Sequence, residues 1–276
     1  LQYIRIRKTS SFIKNYHEEV NAIIDNADKL KKYSIFNKAG SFSYANILQT
    51  ARDFERVKNV ILPEDEYKGV QAYTTYYYQY FFTMLVMMFV IYDMFAQRDN
   101  GMWSITYSCA NGRIMYAIKQ TGVIVVTGAF THTLIYWSTF IAAMLQRGGV
   151  RDLVNPVQTI ETFDKFTYPW SKIKYVTVLY LISMVCIVAL CITIWGVFVM
   201  FRNRVYALVT MLIFAAVEQF IYSHIDIQSV WNGLHYINII NIININATFS
   251  SYRNWGVGTY VFPVFSVVLF VHIICA

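Results

Sequence analysis

The stretch Ile173–Phe201, IKYVTVLYLISMVCIVALCITIWGVFVMF, decides the class of fold. From Tyr175 to its end it holds no charged residue. A helix rises about 1.5 Å per residue, so about 20 apolar residues cross a hydrocarbon core of about 30 Å. This run is long enough to do so. A backbone in lipid must satisfy its own hydrogen bonds, which selects a helix or a closed barrel. Barrel strands alternate polar and apolar residues, and this run shows no such alternation.

Four further stretches of similar character lie around it: roughly Tyr76–Phe95, Thr121–Leu145, Val205–Tyr222 and Val257–Ala276. The expected fold is an all-α integral membrane protein with about five transmembrane helices. Composition agrees. The chain is 57% hydrophobic and only 14% charged, against about 25% charged in a soluble domain. Of the 23 basic and 16 acidic residues, 21 lie before Tyr73, which separates a water-facing front from a lipid-facing remainder.

The front, residues 1–72, reads as a small, mainly helical extramembrane domain or stalk, with 73–276 as the membrane domain. Ile13, His17, Val20, Ile24 and Ala27 recur at helical spacing and predict an amphipathic helix over about 13–32. Ser43, Ile47, Leu48, Ala51, Phe54 and Val57 predict a second helix, and Pro63–Glu66 a turn. The first residues, LQYIRIRKTSS, hold no long apolar core, so no signal peptide is expected there. Leu1 is not Met, and the numbered sequence is expected to begin downstream of the gene's start. The aromatic run Tyr73–Phe82 is expected to form a belt at the membrane surface.

The net charge of +7 does not indicate nucleic acid, because scattered basic groups between apolar runs form no phosphate-binding stripe. The four cysteines, Cys109, Cys186, Cys191 and Cys275, form no CxxC pair, so no metal site and no disulfide framework are expected. No Walker A loop, no HExxH and no Gly-x-Ser-x-Gly occurs. The chain is therefore expected not to be an enzyme and to bind no cofactor itself. Basic residues in the two sets of loops number five against six, so charge alone does not orient the spans.

The segment between the first two spans, Gln97-Arg-Asp-Asn-Gly-Met-Trp-Ser-Ile-Thr-Tyr-Ser-Cys-Ala-Asn-Gly-Arg-Ile-Met-Tyr-Ala-Ile-Lys-Gln120, carries the functional information. A polar cluster and Gly101 precede a short amphipathic stretch, then a small polar turn over Ser108–Gly112, then a new helical run. This predicts a helix along the membrane surface, a break, and re-entry. In this segment the sequence resembles the permease subunit of ABC type-2 exporters. The matching residues are Asp99 and Gly101, then Ser108, Gly112 and Arg113, then Lys119. Where that family usually carries Glu near the front of the motif, this chain has Gln97 and Asp99.

The resemblance implies that residues 96–120 couple the permease to an ATPase. It implies a chain lacking the family's first span, with 96–120 and Arg202–Arg204 cytoplasmic and residues 1–72, 146–172 and 223–256 outside. The implied partners are ATP-binding-cassette ATPase subunits, which would carry ATP and Mg, a second permease subunit, and membrane lipid. The implied location is a multi-pass position in a cell membrane, expected to be the bacterial plasma membrane. The function implied is export by alternating access. The alternative is a membrane sensor or accessory protein whose outer domain binds a peptide or protein. The substrate is not legible.

Ionisable groups within spans are costly and often mark function. Glu218, His132 and His272 are candidate pathway or inter-helix contacts, while Asp93 falls near a span end. The alternative readings are a snorkelling carboxylate at Glu218 and hydrogen-bonded core histidines. Asn238, Asn241 and Asn244 recur every three residues among isoleucines, which predicts a short amphipathic or re-entrant helix before the last span. Asn246-Ala-Thr248 matches a glycosylation sequon.

Overall fold

Runs of apolar residues set where the long helices lie, and short polar signals set where they stop. The computed structural model describes residues 2–33, 38, 40–63, 68–75, 79–109, 112–148, 150–225, 231, 233–234, 238–243, 246–257, 260–264, 266–268 and 270. The helices are α1 (Gln2–Leu30), α2 (Phe42–Glu55), α3 (Gly69–Thr75), α4 (Gln79–Met94), α5 (Ala96–Asp99), α6 (Met102–Ser108), α7 (Gly112–Arg147), α8 (Lys172–Met200), α9 (Arg204–His224), α10 (Ile239–Ile243) and α11 (Asn246–Ser250). Two strands follow, β1 (Asn254–Val257) and β2 (Tyr260–Pro263).

Four helical stretches are long and apolar enough to cross a membrane: Gln79–Asp99, Gly112–Arg147, Lys172–Met200 and Arg204–His224. The shortest have 21 residues, which at about 1.5 Å each covers about 30 Å. The chain is an all-α membrane protein, and these four match the first four expected spans. The fifth expected span, Val257–Ala276, requires correction. Its front is not helical: Asn254 pairs with Pro263, Trp255 with Phe262, Gly256 with Val261 and Val257 with Tyr260 in an antiparallel hairpin. Counting apolar residues missed the two-residue alternation that puts rings at Trp255, Tyr260 and Phe262. Positions 271–276, with Cys275, lie outside the described residues, as do 64–66 of the expected turn and Asn244 of the asparagine stripe.

The chain forms two units. One comprises Leu1–Thr75, Ala143–Val178 and Ile245–Leu269. In it α1 buries a narrow stripe, Tyr16, Val20, Ile24 and Ala27. The first three join Phe54, Val57 and Leu62 in one cluster. Each such aliphatic side chain contributes about 1.5–3 kcal/mol on burial. Tyr16 takes the place expected for His17, whose ring meets it edge-on at 5.6 Å. Burial, with Asp164 nearby, raises the Tyr16 hydroxyl well above its ordinary range. Ser41 caps α2 by accepting the Tyr44 N–H at 3.2 Å. The buried Asp53 carboxylate accepts from Gln49 at 2.9 Å and from the Tyr252 hydroxyl at 2.9 Å, and pairs with Arg56 at 3.2 Å. Burial is the main cause that pushes Tyr252 up to about 12.

The segment between α7 and α8 is built from three 3-10 turns, Val150–Val154, Val157–Thr159 and Glu161–Phe163. Gln158 is buried and donates to the carbonyls of Phe166 at 3.0 Å and Tyr168 at 2.7 Å. The Lys172 ammonium donates to the Asp152 carboxylate, with side chains 1% and 0% exposed. Phe163, Phe166, Tyr175 and Phe249 pack ring on ring. Asn246 is held at both ends of its amide: Oδ1 accepts from the Tyr175 hydroxyl at 2.6 Å, and Nδ2 donates to the Thr74 carbonyl at 3.0 Å.

The other unit comprises Tyr76–Ala142, Leu179–Asn244 and Phe270–Ala276. Its core gathers Met84, Met87, Met88, Ile91 and Phe95 of the first span, Ile124, Ile187, Leu190, Ile194 and Phe198, with Met211 and Ala215 of α9. The expected aromatic belt is divided. Tyr73, in the first unit, is buried. Tyr80 is also buried and donates to Gln219 at 3.0 Å, whereas Phe82 is exposed. Positions 76–78 lie outside the described residues.

Removing one partner of a buried ion pair leaves a charge in low dielectric. Asp152→Ala is expected to lower stability by about 3–5 kcal/mol, read as unfolding of the detergent-solubilised chain. The double change Asp152→Leu with Lys172→Met should recover most of that loss.

Candidate functional site

The last turn of a helix leaves carbonyls without intrahelical partners. At the end of α8 two are met by one side chain: Arg98 Nη1 donates to the carbonyls of Phe198 at 3.1 Å and Phe201 at 2.8 Å. A cation here also opposes the negative end of the helix dipole. The guanidinium lies over the rings of Phe95 at 4.8 Å and Trp103 at 5.7 Å. Its side chain is only 16% exposed.

The neighbouring Asp99 carboxylate pairs with Arg204 at 2.9 Å and lies 3.7 Å from Arg98 Nε. Arg204 begins α9, where a carboxylate is favoured by the positive end of the helix. Its guanidinium covers Tyr92 at 4.4 Å, and Asn203 caps α9 by accepting the Val205 N–H at 2.8 Å. Residues 98 and 99 thus tie the end of the first span to the end of α8 and the start of α9.

Gly101 follows with φ of +73°. No atom stands within 4 Å of where a Cβ would be, so backbone conformation rather than space calls for glycine. The turn delivers α6. Its Trp103 packs on Phe95 at 5.2 Å, Tyr107 at 5.6 Å and Tyr116 at 5.6 Å. Met102 and Ile105 remain 56% and 70% exposed. Ser108 Oγ donates to the Ile105 carbonyl at 2.7 Å at the end of α6, and the Gly112 N–H donates to the Cys109 carbonyl at 2.9 Å. Gly112 begins α7, and the Arg113 guanidinium lies 5.7 Å from the Tyr107 ring. Burial, with Tyr116 adding and Arg113 and Arg98 opposing, raises the Tyr107 hydroxyl. Tyr116 ties the two sides of the break, donating to Gln97 at 3.2 Å and accepting from Gln120 at 2.9 Å.

Of the residues singled out from sequence, Asp99 and Gly101 thus meet at the entry to α6, and Ser108, Gly112 and Arg113 surround its exit. Lys119 lies exposed two turns into α7. His132 is 1% exposed, its Nε2 is 2.8 Å from Ser183 Oγ, and its ring lies parallel to Tyr180 with 6.2 Å between centroids. This is the geometry of a hydrogen-bonded core histidine. Glu218 bonds to another element: Oε2 accepts the Ile239 N–H at 2.8 Å, and its carbonyl accepts from Asn238 Nδ2 at 2.7 Å. It thereby sits at the start of α10, where Asn238 Oδ1 accepts the Asn241 N–H at 3.2 Å. His272 lies outside the described residues. Among the described residues no three His, Cys, Asp or Glu side chains form a cluster suited to a metal ion.

The structural roles of Arg98 and Arg204 are not legible from a tally of loop charge. The signal available was an Arg-Asp pair at the end of one apolar run and an arginine at the start of another. Charged hydrogen bonds contribute about 1.5–3 kcal/mol, which corresponds to about 10- to 100-fold in a local opening equilibrium. Arg98→Ala is expected to accelerate amide exchange over 96–108 and at the end of α8 by that factor, as measured by hydrogen–deuterium exchange, with the centres of the spans unchanged.

Compared with known proteins, the chain matches no family model, no curated protein and no solved structure.

Proposed function

We propose that this chain is the membrane-spanning subunit of an ATP-driven exporter, moving its substrate by alternating access powered by a separate ATPase chain. One observation carries the reading. A seven-residue helix, Met102–Ser108, stands between two spans, braced at its front by Arg98 and Trp103, and leaves the apolar side chains of Met102 and Ile105 exposed. A short helix so held is suited to pass a partner's movement into the spans, because Arg98 and Asp99 join its entry to the ends of α8 and α9. The likeness of Asp99, Gly101, Ser108, Gly112, Arg113 and Lys119 to the coupling motif of ABC type-2 permeases supports the same reading.

In this proposal ATP and Mg reside on ATP-binding-cassette partners, a second permease subunit completes the pathway, and the complex lies in the plasma membrane of a bacterium. The ATPase contributes free energy only insofar as its ATP-bound form favours one arrangement of the spans over another. The chain's own part is to convey that preference through α6.

Ile105 is exposed and Gly101 has an unusual backbone angle, so each can be altered with a distinct expectation. Co-expressed with the ATP-binding-cassette ATPases of its own organism, the wild-type chain should retain one of them through purification in detergent. Ile105→Glu should weaken that retention by roughly 10- to 30-fold, the cost of an interface anchor of about 2 kcal/mol, with the chain still inserted. Gly101→Pro should uncouple hydrolysis from transport in vesicles, since proline holds φ near −65° where the turn needs a positive angle. Arg113→Glu should do likewise. Retention of no ATPase by the wild-type chain would count against the exporter and favour a sensor or accessory role.

A further inference from the structure

The hairpin that replaces the front of the expected fifth span has two unlike faces. Side chains on a strand alternate, and the pairing of Trp255 with Phe262 and of Val257 with Tyr260 puts these positions on one face. Asn254, Gly256, Val261 and Pro263 occupy the other. The second face packs on α2. Gly256 lies so close to Phe42 that a Cβ there would fall 2.0 Å from a ring carbon. Asn254 Nδ2 donates at 2.9 Å to Asn46 Oδ1 and at 2.9 Å to the Tyr252 hydroxyl. The first face is the aromatic one: Trp255, Tyr260 and Phe262 are 43%, 71% and 42% exposed. The rings of Tyr260 and Phe262 stack at 6.4 Å.

We infer that this aromatic face lies in the headgroup layer of the bilayer and binds phospholipid there. Three observations select lipid as the occupant. First, Arg253 is the last residue of the sequence to carry a fixed charge, and the residues from Asn254 to Ala276 include no Asp, Glu, Lys or Arg. A basic residue, then exposed tryptophan and tyrosine, then an uncharged apolar run is the order in which a chain passes from water through the interface into hydrocarbon. Second, a four-residue strand reaches only about 13 Å, so the rings cannot stand far from the start of that run. Third, a cavity of about 390 Å³ is lined by Asn46, Thr50, Tyr252, Arg253, Asn254 and Trp255. Among its groups are a guanidinium, amides and hydroxyls. These polar groups suit the phosphate and the glycerol or amine of a headgroup. The inference needs a membrane but not the exporter reading.

The test uses the full chain in phosphatidylcholine vesicles. The fluorescence lost on Trp255→Phe isolates the Trp255 signal, and Tyr260→Trp in that background gives a second reporter should the first variant misfold. Both reporters should be quenched about twofold or more by lipid brominated near the headgroup end of its chains, and less by lipid brominated near the chain ends, as befits interfacial rings. Aqueous acrylamide should quench them weakly. Strong quenching by acrylamide with indifference to brominated lipid would overturn the inference and leave this face to a soluble partner. Stronger quenching by the deeper bromine would overturn it as well, because the rings would then lie among acyl chains.

Discussion

Helix ends beside lipid present carbonyls that water does not reliably reach, and at the end of α8 the guanidinium of Arg98 meets that need. The rest of the second unit's polar end follows from it. Arg98 comes from the end of the first span, so its two hydrogen bonds draw that span to α8. Asp99 beside it then faces Arg204 and fixes the start of α9. Once these ends are gathered, the chain must turn sharply to continue. Gly101 with its positive φ makes that turn, and Trp103 holds the outgoing helix against Phe95, the ring that also carries the guanidinium. Geometry, charge and ring packing therefore converge on a handful of adjacent residues.

What could be read from the sequence depended on which signals are local. Four spans were legible because run length alone specifies them, and their helices fall where the apolar runs do. The end of α6 at Ser108 and the start of α7 at Gly112 were legible because small polar residues interrupt a helical pattern. The hairpin was not, because Val, Tyr and Phe in a short apolar stretch serve strand and helix alike, and only the alternation separates them. Tyr16 was passed over in favour of His17 because the two are adjacent and only the packing partner decides which one points inward.

Charge was the least legible property. Lys172 lies between apolar runs, yet it is buried against Asp152, and Arg98 and Arg204 likewise pair with protein groups. A count of basic residues assumes that each meets water. Here several neutralise one another or cap helices, so the near-equal tally on the two sides measured something other than the field across a membrane. Glu218 was partly legible: an acid near the end of a span pointed to an unusual partner, but that the partner is the N-terminus of a short isoleucine-rich helix depends on a chain reversal no local pattern specifies. Of the candidate site, Asp99, Gly101 and Arg113 stood out in the sequence, while Arg98, Arg204 and the contacts that join them did not.

The sequon at Asn246 shows how a motif and a folded environment can be at odds. Attaching a sugar requires the amide nitrogen of asparagine to reach an enzyme's active site as a nucleophile. In the folded chain that nitrogen is committed to the Thr74 carbonyl, and the oxygen across from it is committed to Tyr175. Modification would have to break both bonds and open the packing around Phe249, which follows in the same short helix and is 5% exposed. A glycan here would therefore have to be added while the chain is still unfolded, and it would then stand in the way of this unit closing. The tripeptide is best regarded as a fastening whose letters happen to match an address.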